Sequence, residues 1–165
     1  MSRLGVLYAI TNEELAELKK QKKEEIYDYM LENIEEEYLG GELACELDKA
    51  WYALHYAINN GEWKEDKSTL SKVIFGGEFL LDDEEYVITL KKPDDVKEIV
   101  EYLTAHEKCF DNVIENGFKN TKDDDLDLPK DENLLEYMKD WSKGLLPFYK
   151  NAEIENLNVI FTTDL

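Results

Sequence analysis

Histidine and cysteine are scarce in this 165-residue chain, at two of each, which removes most metal and nucleophile chemistry. His106 and Cys109 form an H-x-x-C pair, but no second pair stands at ligand spacing. A zinc site would have to gather all four residues from distant segments, so both are expected at the core edge and no metal ligand is assigned. Cys45 and Cys109 lie in unlike contexts without framework spacing, which points to a reduced, intracellular protein. Basic residues are also few, 19 against 39 acidic ones, for a net charge of −20. A field of that sign repels nucleic-acid phosphates and anionic lipid headgroups and attracts basic partners. The basic run Lys19 to Lys23 is followed at once by Glu24 and Glu25 and reads as a solvated helix face. Long apolar runs are missing. Leu4 to Ile10 is too short for a signal segment and nothing approaches a membrane span, so the expected location is the cytoplasm.

Catalytic patterns are absent too. Asp123, Asp125 and Asp127 mimic the opening of a calcium loop, but Leu128 stands where the turn glycine belongs and Leu134 where the bidentate Glu belongs. Gly76-Gly77 lacks the spacing of a phosphate-binding loop and is expected at a tight turn or a close backbone contact. Ser71 and Ser142 lack a G-x-S-x-G context, and neither cysteine has a basic neighbourhood beyond Lys108. No catalytic residue and no cofactor is assigned.

What the chain does have is aromatic side chains and helical periodicity. Ten Tyr, six Phe and three Trp are enough for a packed core and rule out a disordered acidic tail. Leu4 to Ile10 reads as a strand, followed by a helix capped at Thr11 with Glu14 in its first turn. Tyr27, Met30, Leu31, Ile34 and Tyr38 are expected on one helical face, closed by Gly40-Gly41. Residues 85–91 read as a strand, and Pro93-Asp94-Asp95 opens a helix whose buried stripe is Val96, Ile99, Val100 and Leu103. That stripe is expected to continue through Phe110, Val113 and Ile114 and to close at Asn116-Gly117. A helix from Glu132 turns Leu134, Met138, Trp141 and Leu145 inward, bent or ended by Gly144 and Pro147, and residues 158–164 read as a last strand. The expectation is α+β: one helix-rich domain over residues 1–165 with a small mixed or antiparallel sheet.

The stretch LDKAWYALHYAIN, residues 47–59, raises the question of a site. On a helix, Leu47, Ala50, Leu54 and Ile58 form an apolar stripe with Trp51 on its shoulder. Asp48, Tyr52, His55 and Asn59 share the neighbouring face. Asp48 would stand about 10 Å of helix rise from His55, too far for a direct acid–base dyad, so a partner such as Glu78 would have to come from elsewhere. His55 is either a histidine at the seam of the core or part of a polar-aromatic pocket.

The order of segments resembles a known family. A short apolar strand runs into Thr11-Asn12-Glu13-Glu14-Leu15. Then come Leu47-Asp48-Lys49-Ala50-Trp51 with Leu54-His55, Val73 to Glu78 as V-x-x-G-G-E, a PDDV helix start at Pro93, and Leu145 to Tyr149 as L-x-x-F-Y. This is similar to the YfbM-like family of small bacterial proteins, a domain of unknown function. The likeness covers nearly the whole chain. It departs after Glu78, where the family tends to a tyrosine-glycine-proline segment and only Tyr86 answers here. The resemblance implies an α+β domain of the bacterial cytoplasm and brings no activity or cofactor.

Two functions are expected from different classes. The first is a binding module for a basic protein, of the inhibitor or immunity type, using the clusters Glu35-Glu36-Glu37, Asp82-Asp83-Glu84-Glu85 and Asp123-Asp124-Asp125 together with aromatic anchors. The same clusters also serve solubility. The second is a small-molecule or enzymatic pocket lined by Asp48, Trp51, Tyr52, His55 and Glu78, with His55 as acid or base.

Overall fold

Period-two alternation in five short strands organises the molecule. The computed structural model describes residues 3–165. Strands β1 (Gly5–Ile10), β2 (Ala44–Asp48), β3 (Glu78–Asp82), β4 (Tyr86–Lys91) and β5 (Asn158–Asp164) form one antiparallel sheet in the order β2-β1-β5-β4-β3. The first and last strands pair at its centre, from Gly5 opposite Thr163 to Ile10 opposite Asn158. Leu7, Ala9, Val87, Val159 and Phe161 therefore point to one face, and Tyr8, Ile10, Ile88, Leu90 and Ile160 to the other. The fold is α+β.

The second face is covered by α1 (Asn12–Lys20) and by a helical segment α2, residues 26–38. Thr11 caps α1 reciprocally with Glu14: Glu14 N donates to Thr11 Oγ1 (3.1 Å) and Thr11 N to Glu14 Oε1 (2.9 Å). The Tyr38 hydroxyl donates to the other Glu14 oxygen (2.7 Å), pinning the end of α2 to the start of α1. The first face is covered by α3 (Ala50–Ile58), α5 (Pro93–Ala105), α6 (Phe110–Asn120), α7 (Glu132–Ser142) and α8 (Leu145–Ile154), while the short α4 (Thr69–Lys72) leads into β3.

Several expectations are corrected. The helix after Thr11 breaks at Gln21, which is extended, so Lys19 to Lys23 spans a chain bend rather than one helix face; the bend lets both Leu18 and Ile26 reach the same sheet face. In α2 the buried stripe is Ile26, Met30 and Ile34, with Tyr38 half-buried, whereas Tyr27 and Leu31 are exposed. Met30–Glu35 winds as a π-helix, and its wider turn returns a step of four, not three, to the same side. Leu47 and Asp48 belong to β2, not to the helix: Cys45 and Leu47 alternate inward, Asp48 takes a left-handed φ of 48°, and the chain turns there into α3. The helix begun at Pro93 ends at His106, and Gly117 lies within α6, where it packs on the Ala57 backbone rather than closing a helix. Strand β3 was not anticipated, and Gly77, at φ 130°, turns the chain into it against Leu90. As expected, Val96, Ile99, Val100 and Leu103 are buried, and the last helical run breaks at Gly144 with Pro147 in the next first turn.

The centre of the first face is Trp51. Its ring lies against Phe161 (5.1 Å between centroids) and stacks with Phe75 (5.9 Å), and its indole N–H donates to the Arg3 carbonyl (2.8 Å). The ring sits on the backbone of Gly5: a β-carbon there would meet Trp51 Cγ at 2.5 Å. Gly5→Ala is expected to cost about 2 kcal/mol and lower Tm by about 5 °C, since a rigid indole in a filled core has nowhere to go. Thermal melting followed by circular dichroism measures this, and an unchanged Tm would show that the ring is not seated on β1.

Candidate functional site: an acidic cleft at the open end of the sheet

On the second face the cover stops short. Alternation places Glu46, Val6 and Thr162 side by side across β2, β1 and β5, and one row further Asp164 stands opposite Tyr86. This end of the sheet is the floor of a cleft of about 230 Å³. Its wall is the edge of α2, where Tyr27, Leu31, Glu35 and Leu39 repeat every four residues, one position after the buried stripe. Leu4 and Trp141 complete the rim. Four carboxylates line the cleft, Glu35, Glu46, Asp48 and Asp164, and among the described residues no Lys or Arg does. Four of its apolar lining residues, Leu4, Tyr27, Leu31 and Leu39, are 39–49 % exposed, against the usual burial of such side chains.

The electrostatics record this crowding. Burial, then the charges of Asp164, Glu36 and Glu46, hold the Glu35 carboxyl above its ordinary range, and burial does the same to Asp164. Tyr8 is 2 % exposed, and its phenol is pushed up by burial and then by Glu35, Tyr86, Glu46 and Asp164. No group among the described residues shares a hydrogen bond with its hydroxyl. Asp48 also accepts from Lys49 N (2.7 Å), beside the Tyr137 hydroxyl. Among the described residues no three His, Cys, Asp or Glu side chains are placed to share a metal ion. A second groove, of about 390 Å³, is lined by Leu103, Phe110 and Leu146 and flanked by both signs of charge, Glu107 and Asp111 against Lys143 and Lys150.

His55 is elsewhere. It is fully buried on the first face, 4.5 Å from Trp63 and 5.8 Å from Phe75 between ring centroids. Nε2 lies 2.7 Å from the Lys64 carbonyl, which can only accept, so Nε2 carries the proton and Nδ1 is left as an unpartnered buried acceptor. Burial lowers its pKa from 6.5 to about 4 despite that bond, which raises it, and nearby Lys91 lowers it further. Lys91 is itself fully buried, donating to Ile74 O and to Thr89 Oγ1 (2.8 Å) beside the Phe161 ring, and burial holds its amine well below the usual lysine range. Of the five residues proposed from sequence for a pocket, Trp51, Tyr52 and His55 meet in this aromatic cluster, Glu78 is exposed at the start of β3, and Asp48 faces the acidic cleft.

The family model for a domain of unknown function, DUF1877, matches residues 1–162. The chain belongs to the DUF1877 family. Its fold is similar to the crystal structure of a protein of unknown function, YfbM from Escherichia coli, at 16 % identity and a TM-score of 0.68, over 97 % of this chain and 99 % of that one. No curated protein matches. In this DUF1877 chain no helix among the described residues is long and apolar enough to cross a membrane.

The acidic clusters of this DUF1877 chain separate by layer. Glu35 lines the cleft and Glu36 and Glu37 continue α2 from it. Asp82, Asp83 and Glu84 form the β3–β4 turn, which reaches the same side of the molecule through the Tyr27–Tyr86 ring contact (5.2 Å) and the Lys23–Asp83 ion pair (2.8 Å). Asp123, Asp124 and Asp125 form a single turn between α6 and α7, on the other layer. Sequence reasoning missed Tyr8, Glu46 and Asp164. The signal was the alternation Val6/Tyr8 and Thr162/Asp164, and in α2 the four-residue repeat from Tyr27 to Leu39.

Two pH effects of opposite sign follow. His55 has a folded pKa below its unfolded one, so its contribution is complete above about pH 6.5 and is lost as pH falls towards 4, by up to about 3 kcal/mol. His55→Ala is expected to lower Tm at neutral pH and to flatten that acid slope in pH-dependent melts; an unchanged Tm would take His55 out of the core. Glu35 and Asp164 have raised folded pKa values, so they oppose folding at neutral pH and cease to do so as pH falls towards the ordinary carboxylate range. Glu35→Gln is expected to raise Tm at pH 7.5 by about 2 °C, a gain that shrinks in acid. A drop in Tm would show that Glu35 is a structural support.

Proposed function

We propose that this protein is an acidic protein-binding module of the cytoplasm, of the inhibitor or immunity type, which docks a basic partner on the cleft end of its sheet. One observation supports this above the others: exposed apolar side chains surround carboxylates that share the cleft with no basic side chain among the described residues. Aromatic and apolar anchors carry much of the energy of an interface, and carboxylates among them set a demand for a basic group on the partner. The net charge of −20 steers a basic protein from a distance, and Glu35, Glu36, Glu37 with Asp82, Asp83, Glu84 focus that attraction on one side. Asp123, Asp124 and Asp125 lie on the opposite layer and contribute only to the long-range field. The other reading, an enzymatic or small-molecule pocket around His55, has less support, because His55 and Trp51 are buried and Asp48 and Glu78 point elsewhere.

The test is retention of a basic protein from host lysate on immobilised protein, washed at rising salt, with Glu35→Lys/Asp164→Lys and Asp123→Lys/Asp125→Lys as paired controls. The first change is expected to abolish retention of a stoichiometric partner and the second to weaken it only at low salt. Equal losses would remove the cleft from the interface. No retention at low salt would remove the partner reading.

A further inference from the structure

We propose that the cleft receives the guanidinium of a single arginine side chain. This rests on the partner-binding reading and names the group that would fill its centre. At about 230 Å³ the cavity is below the 300–1,000 Å³ typical of small-molecule pockets and suits one side chain. Its lining combines apolar and acidic groups. Tyr27, Leu31 and Leu39 form an apolar and aromatic mouth, matched to an alkyl stem and to stacking of a planar cation. Beside them the cleft presents acceptors and hydroxyls, namely Glu35, Glu46, Asp164, Thr162 and Tyr8, around the floor residue Val6.

Two features favour guanidinium over a point cation. The carboxylates are spread around the cleft, and among the described residues no three acidic side chains converge as a metal ion would require. A planar fork with five N–H donors can reach several separated acceptors at once, where a lysine offers three donors from one atom. The second feature is Tyr8. Its side chain is almost wholly buried, it lines the cleft, and no protein group of the described residues shares its hydroxyl, whose ionisation feels Glu35, Glu46 and Asp164. Here an arginine N–H can donate to its oxygen while its proton goes to Glu35, Glu46 or Asp164.

The experiment needs no partner protein. N-acetyl-arginine methylamide is titrated into the isotope-labelled protein at low salt and followed through backbone amide shifts, alongside its lysine and citrulline counterparts. The arginine compound is expected to give saturable shifts at Val6, Tyr8, Glu46 and Thr162; the lysine compound to bind several-fold more weakly; and the uncharged citrulline compound to give none. Tyr8→Phe is expected to weaken arginine binding by about threefold, and Glu35→Gln/Asp164→Asn by at least about tenfold. Glu46→Gln, at an exposed strand position, serves as a second variant whose folding is not at issue. Equal binding of the arginine and citrulline compounds, or shifts centred on Asp123 to Asp125, would overturn the inference. A salt-sensitive partner captured while the arginine probe leaves the cleft unmoved would overturn this inference and leave the partner reading standing. Probe binding without any captured protein would do the reverse.

Discussion

The seating of Trp51 on Gly5 is the contact on which the rest of the architecture depends. It brings α3 down onto β1 and β5, and because the indole N–H reaches the Arg3 carbonyl it also fixes the start of β1. The chain can enter α3 from β2 only by turning sharply at Asp48, and the left-handed backbone there makes that turn. The register of β1 on β2 shifts between Gly5 and Val6, beside the same ring. One bulky side chain over one missing β-carbon thus sets the relation of three strands and a helix. On the reverse side of the sheet, the same strand ends become the floor of the acidic cleft.

The two faces of the sheet solve different problems. The first is a dense apolar core that tolerates two buried nitrogen bases, His55 and Lys91, by seating them against backbone carbonyls and aromatic rings, where burial lowers the pKa of each. The second face is thinner, and α1 and α2 cover it incompletely. Its uncovered end gathers carboxylates, among which burial and then the neighbouring charges raise the pKa of Glu35, and leaves leucines and a tyrosine in water. Such an arrangement opposes folding. The extensive core of the first face supplies the stability against which this local cost is set.

Much of the fold was legible because the periods are strong. The stripe Val96, Ile99, Val100, Leu103 is an unbroken helical repeat, and the cap at Thr11 has both of its partners within three residues. The readings that failed did so where two periods compete. Cys45 and Leu47 belong to a strand, but read from Leu47 onward the pattern also fits a helix, and the choice depends on pairing with β1, which lies about forty residues away in sequence. In α2, Tyr27 and Leu31 look as buried as Met30 until the wider winding of the π-turn is known. His55 was legible as a histidine at the seam of a helix, but not as one sealed there by Trp63, which arrives from a polar loop.

By itself the sequence determined the α+β class, the strand at each end, the capped helices, the strong negative charge and the lack of recognised catalytic motifs, because each follows from composition or from neighbours within a few residues. Only the tertiary structure decided which acidic residues meet. Glu35, Glu46, Asp48 and Asp164 come from three separate elements, α2, β2 and β5, and their convergence depends on sheet register and on where α2 stops. Long-range pairing sets both of these, so residues far apart in the chain are brought together by contacts that no local pattern encodes.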